Sequence, residues 1–385
     1  MSWPIPVFSQ IEYPTPISWR LWLPALAVTA VGAAGAVLML WPHGKPTNTI
    51  LFWATLVGAP LVACALTFGF NLDHWEDEQT DAEEAEKEQQ RLKRLWRDWT
   101  RRRLCVVDAV VFPAATREVA KFAEPKVDLP SQKDRTIEFE RAKGRSAEFR
   151  RTRLLHLVAM HFADGLRARR EVVVTLMLDE ASLEQAASWT QRARHIFGRL
   201  IPGVTFRVET QLATSGVQWT TDLVDRVDMA TRLVIAAQFW AGEEEEHEFS
   251  EGAAAFLIEP AASQAGSIFR PMTSTRDTLE TGLSQIKEYQ VPPERLALAW
   301  FTRCEEGEST TIRSALTEDP KDSTVERLLD KSLGLPGPAS GWIALAIAMD
   351  AMRGAGPQLV VWGEPDSEAL HLCTISPLPH KETTV

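Results

Sequence analysis

The sequence predicts a membrane-anchored α/β protein, and three features of its 385 residues lead to that fold class. Two uncharged stretches of 21 residues each lie near the amino terminus, at 21–41 and 50–70. A charged segment without glycine or proline follows at 71–103. From residue 104 onward, segments rich in β-branched residues alternate with helical ones, which is typical of a layered α/β domain.

The two uncharged stretches are long enough to span a membrane. At about 1.5 Å per residue, each would form a helix of roughly 30 Å, the thickness of the hydrocarbon core. Buried core helices are the alternative, but they seldom contain such long uninterrupted apolar runs. Trp22, Trp41 and Trp53 lie near the ends, where tryptophan anchors a helix in the headgroup region. We therefore expect a hairpin of two helices in a lipid bilayer.

The position of basic residues predicts the orientation of this hairpin. A hairpin with only eight residues, 42–49, between its helices places both termini on one side of the membrane. The tail at 1–20 has one basic residue, Arg20, and the turn has only Lys45, whereas eight basic residues follow at 87–103. Lysine and arginine favour the cytoplasmic side. With an Ala-, Arg- and Trp-rich composition, we expect a multi-pass protein of a bacterial inner membrane with cytoplasmic termini.

Residues 71–103 are predicted to form one charged helical stalk. Helix-favouring residues dominate it, with acidic side chains toward its start and basic ones toward its end. Leu92, Leu95, Trp96 and Trp99 recur at spacings of three and four and form an apolar stripe of barely two turns. The stripe either docks on the domain that follows or forms a coiled coil or partner contact.

The acidity of the chain lies on the domain at 104–385. The whole chain has 41 basic and 52 acidic side chains, for a net charge of −11. Because residues 1–70 carry a net +1 and residues 71–103 a net −2, the remaining −10 lies on 104–385. This charge excludes a nucleic acid partner, whose phosphates need concentrated positive charge. Four cysteines, three of them in the soluble part, exclude a disulfide scaffold and suit a reducing compartment.

The pattern at 104–385 predicts a duplicated α/β domain with halves at 104–265 and 266–385. Strands are predicted at 104–112, 171–178, 204–210, 231–240, 252–259, 296–302, 358–363 and 370–376. Helices are predicted at 146–168, 181–199, 219–230, 276–290, 308–317 and 338–353. Both series end as helix, strand, turn, strand, which indicates an internal duplication with a closing antiparallel pair.

Two segments of this domain resemble thiolase-like proteins such as the β-ketoacyl synthases. EGAAAFLIEP at 251–260 resembles the segment that closes the first half of that family, and GLPGPASGWIALAIAMDAMRGAG at 334–356 resembles its closing segment. Glycine and alanine in both segments permit the close packing that a layered core requires. The resemblance covers most of 104–380. It implies a thiolase-like fold and a homodimer, or a heterodimer with a related chain.

The resemblance also implies where a condensing enzyme would hold its reacting groups. That family uses a cysteine at the tip of a buried helix and histidine or asparagine residues in the second half. The matching positions are Thr214, Ser215 and Gly216 for the cysteine, Thr302, Arg303 and Cys304 for the first histidine turn, and Gly334 and Leu335 for the later Gly-His pair. The expected cysteine and histidines are missing there. We therefore expect no catalysis, although a Ser215 nucleophile with an unassigned base stays open beside the commoner turn and cap roles of serine.

No other motif predicts a metal or a cofactor. His156 and His161 share a predicted helix, but a spacing of five places them on different faces. Glu243 to Glu246, with His247 and Glu248, form a loop that is either solvated or attracts a cation or a basic partner. The chain contains no P-loop, CxxC pair, HExxH or GxSxG motif.

A well-patterned core with an emptied active site predicts a non-catalytic interaction platform or adaptor at the membrane. An accessory of a bacterial secretion machine, specifically of type VI secretion, suits this architecture. The alternatives are a membrane-tethered acyl-thioester enzyme and a sensor that binds an acyl ligand without reaction.

Overall fold

The computed structural model describes residues 3–114, 119–124, 129, 131–226, 230–242, 247–260, 262, 264–291, 296–316, 325–351, 353–365 and 367–378. The chain divides into two compact units. Pro6–Leu95 form the smaller unit, and Met1–Ile5 with Trp96–Val385 form the larger one.

The smaller unit contains a hairpin of two apolar helices. Helix α1 is Trp19–Leu40, and helix α2 is Ile50–Thr100, so the second apolar stretch and most of the predicted stalk form one continuous helix. The two helices pack through Trp41 and Phe52, whose ring centroids lie 5.0 Å apart. Both are long and apolar enough to cross a membrane, with mean hydropathies of 2.1 and 2.0 in their apolar windows.

The segment before α1 lies along α2. The indole Nε1 of Trp75 donates a hydrogen bond to the carbonyl oxygen of Thr15 at 3.0 Å, and Gln89 Nε2 donates one to Ser9 O at 3.3 Å. As the segment runs toward its amino terminus, its partners on α2 move toward the carboxyl end of that helix. Most of the predicted tail is therefore an extended strap that runs antiparallel to α2.

The larger unit contains one mixed sheet and eight α-helices among its described residues. The strands are β1 (Arg103–Phe112), β2 (Glu171–Leu178), β3 (Thr205–Leu212), β4 (Arg232–Gln238), β5 (Gly252–Ile258), β6 (Gly266–Phe269), β7 (Met272–Ser274), β8 (Leu298–Thr302), β9 (Val325–Leu328), β10 (Gln358–Gly363) and β11 (Leu370–Ser376). The helices are α3 (Ala147–Arg167), α4 (Glu180–Glu184), α5 (Ala186–Leu200), α6 (Gly216–Asp225), α7 (Leu279–Gln285), α8 (Glu306–Leu316), α9 (Asp330–Leu333) and α10 (Ser340–Ala351).

The strand order repeats in the two halves of the sheet. The first half runs β3-β2-β4-β5-β1, and the second half runs β9-β8-β10-β11-β6. Each half has two parallel pairs followed by antiparallel ones, including the expected closing pairs β4–β5 and β10–β11. Antiparallel pairing of β1 with β6 joins the halves. The predicted duplication is therefore visible in the strand order itself.

The apolar helix α10 packs against the sheet at the junction of these halves. Nine consecutive residues of α10, from Gly341 to Met349, are buried. The last seven, Ile343 to Met349, are all apolar. They belong to one core cluster with side chains of β1, β5 and β10. A helix that is apolar on all sides requires such a central position, because every face must be covered.

The structure contains three strands that the sequence did not predict and a break within one predicted helix. Strands β6, β7 and β9 have only three or four residues and lack a clear alternating pattern, so pairing with longer neighbours holds them in place. The helix predicted at 181–199 divides into α4 and α5 at Gln185. The first residues of the predicted tail belong to the larger unit: the side-chain amide of Gln285 exchanges two hydrogen bonds, at 2.8 and 2.7 Å, with the backbone of Ile5.

Candidate functional site

A cleft opens where the tip of α6 meets the second half of the domain. It contains about 560 Å³ of empty space, part of it open to solvent. Thr214 and Gly216 line it at the end of β3, and Arg303 and Trp362 line it at the ends of β8 and β10. The carboxyl ends of parallel strands are where open α/β sheets bind ligands, which makes this cleft the candidate site.

A tryptophan covers the tip of α6. Gly216 begins the helix, and a methyl group placed on it would lie 2.4 Å from the indole Nε1 of Trp342. Trp342 comes from α10 and is 5% exposed. The start of α10 is covered in turn, since a methyl group on Gly341 would lie 2.7 Å from Trp362 Nε1. Two indoles therefore fill the inner part of the cleft.

Of the two hydroxyl-bearing residues next to Gly216, Ser215 closes a turn and Thr214 lines the cleft. Ser215 Oγ donates a hydrogen bond to the carbonyl oxygen of Leu212 at 2.7 Å, which closes the turn between β3 and α6. Ser215 does not line the cleft, whereas Thr214 does. Among the described residues, no histidine or carboxylate contacts the Ser215 hydroxyl.

The turn after β8 holds its residues in a network around Asp330. Thr302 Oγ1 donates to Asp330 Oδ1 at 2.5 Å, and the backbone N–H of Arg303 donates to Oδ2 at 2.6 Å. Burial raises the pKa of the Asp330 carboxyl, although these two hydrogen bonds oppose the effect. Burial also strongly raises the pKa of the Cys304 thiol. Of the three residues in this turn, Arg303 lines the cleft.

Leu335 lies outside this cleft. Together with Gly334 it lines a second cavity, which has about 350 Å³ of empty space beside Gln238 and Glu251. The cleft at α6 is instead lined by Gly337 and other residues of the same turn. The structure thus brings Thr214, Gly216 and Arg303 together and separates Leu335 from them.

The sequence analysis missed two reactive side chains of the cleft, His371 and Cys373 on β11. His371 Nδ1 lies 3.0 Å from Thr273 Oγ1, and its Nε2 lies 3.8 Å from a carboxylate oxygen of Glu364. Burial lowers the pKa of His371, with Glu364 acting weakly in the other direction. Burial strongly raises the pKa of the Cys373 thiol. Both groups therefore remain uncharged at neutral pH.

The lowered pKa of His371 predicts that the domain loses stability in mild acid. The folded state holds fewer protons at His371 than the unfolded chain, so this stabilisation is present above the ordinary histidine pKa of about 6.5 and is lost as the pH falls below it. We expect the free energy of unfolding to fall between pH 7 and pH 5.5, and to fall less in His371→Gln. Urea unfolding at each pH measures this.

His195 provides the control because its side chain is exposed on α5. The variant His195→Gln should retain the pH dependence of the unmodified chain. An equal pH dependence in His371→Gln would contradict the prediction.

The described residues contain no group of three metal-binding side chains. His161 Nε2 lies 3.1 Å from Asp108 Oδ2 on β1 and does not meet His156. The acidic loop at Glu243 to Glu246 lies outside the described residues.

Trp342 and Trp362 were also missed, because no local pattern distinguishes a tryptophan that fills a cleft from one in the core.

The chain is similar to several solved structures of condensing enzymes and thiolases. The tetronic acid condensing enzyme AbyA1 is 12% identical, with 71% of this chain and 99% of that chain covered and a TM-score of 0.47. The peroxisomal 3-ketoacyl-CoA thiolase of Saccharomyces cerevisiae is 9% identical, with coverages of 72% and 98% and a TM-score of 0.46. That thiolase is described as two core domains of identical topology. OleA of Xanthomonas campestris is 12% identical, with coverages of 71% and 98% and a TM-score of 0.44.

These solved structures come from the family that the sequence resembles. No protein-family model matches the chain, and no curated protein matches it. All three TM-scores lie below 0.5.

Proposed function

We propose that the chain is a membrane-anchored, thiolase-like protein without condensing activity that acts as an interaction platform. One observation carries the proposal: the indole of Trp342 lies against Gly216 at the tip of α6, 2.4 Å from where a Cβ would be. The resemblance implies that a condensing enzyme would hold its cysteine at this tip. At Gly216, one of the three positions matched to that cysteine, a side chain would collide with Trp342, and the other two positions hold Thr214 and Ser215.

The other reactive groups of the cleft do not form a nucleophile and base. A cysteine attacks as the thiolate, and burial disfavours the thiolate of Cys373 in the cleft, as it does that of Cys304 in the adjoining turn. His371 and Cys373 are two residues apart on one strand, a spacing of roughly 7 Å that is too long for a hydrogen bond. This geometry favours a scaffold over an enzyme.

The two apolar helices favour anchoring in a bacterial inner membrane with both termini in the cytoplasm. The net −10 of residues 104–385 favours a basic protein partner. A second copy, or a related chain as the resemblance implies, is a further candidate. An accessory role in a secretion machine is the narrowest form of this proposal, and the membrane architecture alone motivates it.

Thioester turnover tests the absence of activity. The full chain in detergent is incubated with acyl-CoA of several chain lengths, and free CoA thiol is measured. We expect no release above the protein-free rate. Release that disappears in Cys373→Ser or Ser215→Ala would instead establish the acyl-thioester enzyme. Equilibrium dialysis of acyl-CoA tests the sensor, and we expect no saturable binding because two indoles occupy the inner part of the cleft.

Crosslinking in native membranes tests the platform. We expect one stoichiometric partner, whose capture weakens as salt is raised because charge contributes to the contact. Recovery of unrelated abundant proteins alone would contradict the platform.

A further inference from the structure

A separate cavity, distinct from the two in the larger unit, lies in the smaller unit at the polar end of the helical hairpin. It has about 640 Å³ of empty space and is open on one side. The strap residues Pro14–Ser18 form one wall, and the start of α1 and the part of α2 at Asn71–Glu78 form the others. On α2 the cavity begins directly after Phe70, the last residue of the apolar stretch. For a membrane-spanning hairpin, this position is the level of the lipid headgroups.

The cavity wall on α2 is one face of the helix. Asn71, His74, Trp75 and Glu78 line the cavity and follow the i, i+3, i+4, i+7 spacing of a single face. The strap is fixed against this face by the hydrogen bond from Trp75 Nε1 to Thr15 O. Trp22 lines the cavity from α1 and packs edge-on against Phe68, with ring centroids 5.9 Å apart. Contacts with neighbouring residues therefore fix the Trp22 and Trp75 side chains in the cavity wall.

The chemistry of these walls suits a cation. Residues 73–86 contain eight acidic side chains and no lysine or arginine. The carboxylate of Glu78 lines the cavity, and its Oε1 lies 3.2 Å from His74 Nε2. The half-buried indoles of Trp22 and Trp75 add aromatic surface, which attracts ammonium groups through the ring quadrupole. Acidic and aromatic groups together are typical of sites for organic ammonium ions.

We propose that this cavity binds the ammonium group of a zwitterionic phospholipid, with the acyl chains beside the apolar parts of α1 and α2. The proposal rests on the membrane anchoring proposed above. The carboxylate of Glu78 pairs with the ammonium, and Trp22 and Trp75 cover it. An anionic headgroup without an amine is disfavoured, because the carboxylate of Glu78 in the cavity wall repels it.

Lipid retention measures this preference. The full chain is reconstituted in vesicles of equal parts phosphatidylethanolamine and phosphatidylglycerol, extracted with its first lipid shell, and the retained lipids are quantified by mass spectrometry. We expect enrichment of phosphatidylethanolamine over the bulk ratio by about fivefold, the effect of one partly desolvated ammonium–indole contact. Replacement by phosphatidylcholine tests whether a methylated ammonium binds equally. Retention at the bulk ratio would overturn the site.

Variants distinguish this cavity from general contact with the bilayer. Glu78→Gln and Trp22→Ala should lower the enrichment to near the bulk ratio. Trp53→Ala is the matched control, because Trp53 is 59% exposed at the opposite end of the hairpin. Equal loss in Trp53→Ala would overturn the assignment. Failure of the chain to float with vesicles of any composition would overturn the membrane anchoring as well, whereas flotation without enrichment would overturn the lipid site alone.

Discussion

Replacing Glu251 by alanine is expected to lower the free energy of unfolding by about 3 kcal/mol, because it removes one of the two carboxylates that pair with the buried Arg150 and the acceptor of two buried N–H groups. The Glu251 side chain is 0% exposed and lies 3.0 Å from the guanidinium Nε of Arg150, whose side chain is 5% exposed. Its two oxygens also accept hydrogen bonds from the backbone N–H groups of Phe139 and Trp240, each at 2.9 Å. Loss of the carboxylate leaves these two buried N–H groups without their acceptor and leaves Arg150 with Glu138 as its carboxylate partner. Urea unfolding of the full chain in detergent measures the loss.

Glu148 provides the control for this prediction. It forms an ion pair with Arg192 at 2.7 Å but is 74% exposed, so Glu148→Ala should leave the free energy of unfolding nearly unchanged. Equal losses in Glu251→Ala and Glu148→Ala would contradict the role of burial.

Replacing Gly334 by alanine is expected to cost about 2–5 kcal/mol, from backbone strain and overpacking together. Gly334 has φ 83° and ψ −164°, a region that is essentially restricted to glycine. An added methyl group would also lie 2.4 Å from the carbonyl oxygen of Arg135 and 2.4 Å from Ser250 Oγ. The same unfolding measurement detects the loss.

Gly198 is the matched control within helix α5. An added methyl group there meets no atom within 4 Å. Alanine is the better helix former by about 1 kcal/mol, so Gly198→Ala should leave stability unchanged or raise it slightly. If Gly334→Ala were equally well tolerated, the strained turn before α10 would be disproved.

Local patterns predicted the longer elements because burial imposes them on the sequence. Strands such as Glu171–Leu178 and Gly252–Ile258 are continuous apolar runs, as strands covered on both faces must be. Strands β6, β7 and β9 were not predicted, because three or four residues carry too little pattern and pairing with distant strands determines them. The break at Gln185 was missed because the residues on either side of it, Leu183-Glu184 and Ala186-Ala187, are good helix formers.

The candidate site was predicted in part. The resemblance indicated the tip of α6 at Thr214 and Gly216 and the turn at Arg303, which the structure places in one cleft. Leu335 instead lines the other cavity. The turn that contains it is long, and the sequence does not indicate which of its residues line the cleft. Trp342, His371 and Cys373 come from distant parts of the sequence, and only the packing of α10 and β11 against α6 brings them there.

Strand β3 lies at one end of the sheet and pairs with β2 alone among the described strands. Its outer backbone groups can thus accept an added strand from another chain, a general hazard for aggregation. The charged side chains of Arg207 and Glu209 lie on this edge, 63% and 30% exposed. Such charges hinder indiscriminate strand addition. Any chain that lengthens the sheet here must therefore supply matching charges, which makes this edge selective.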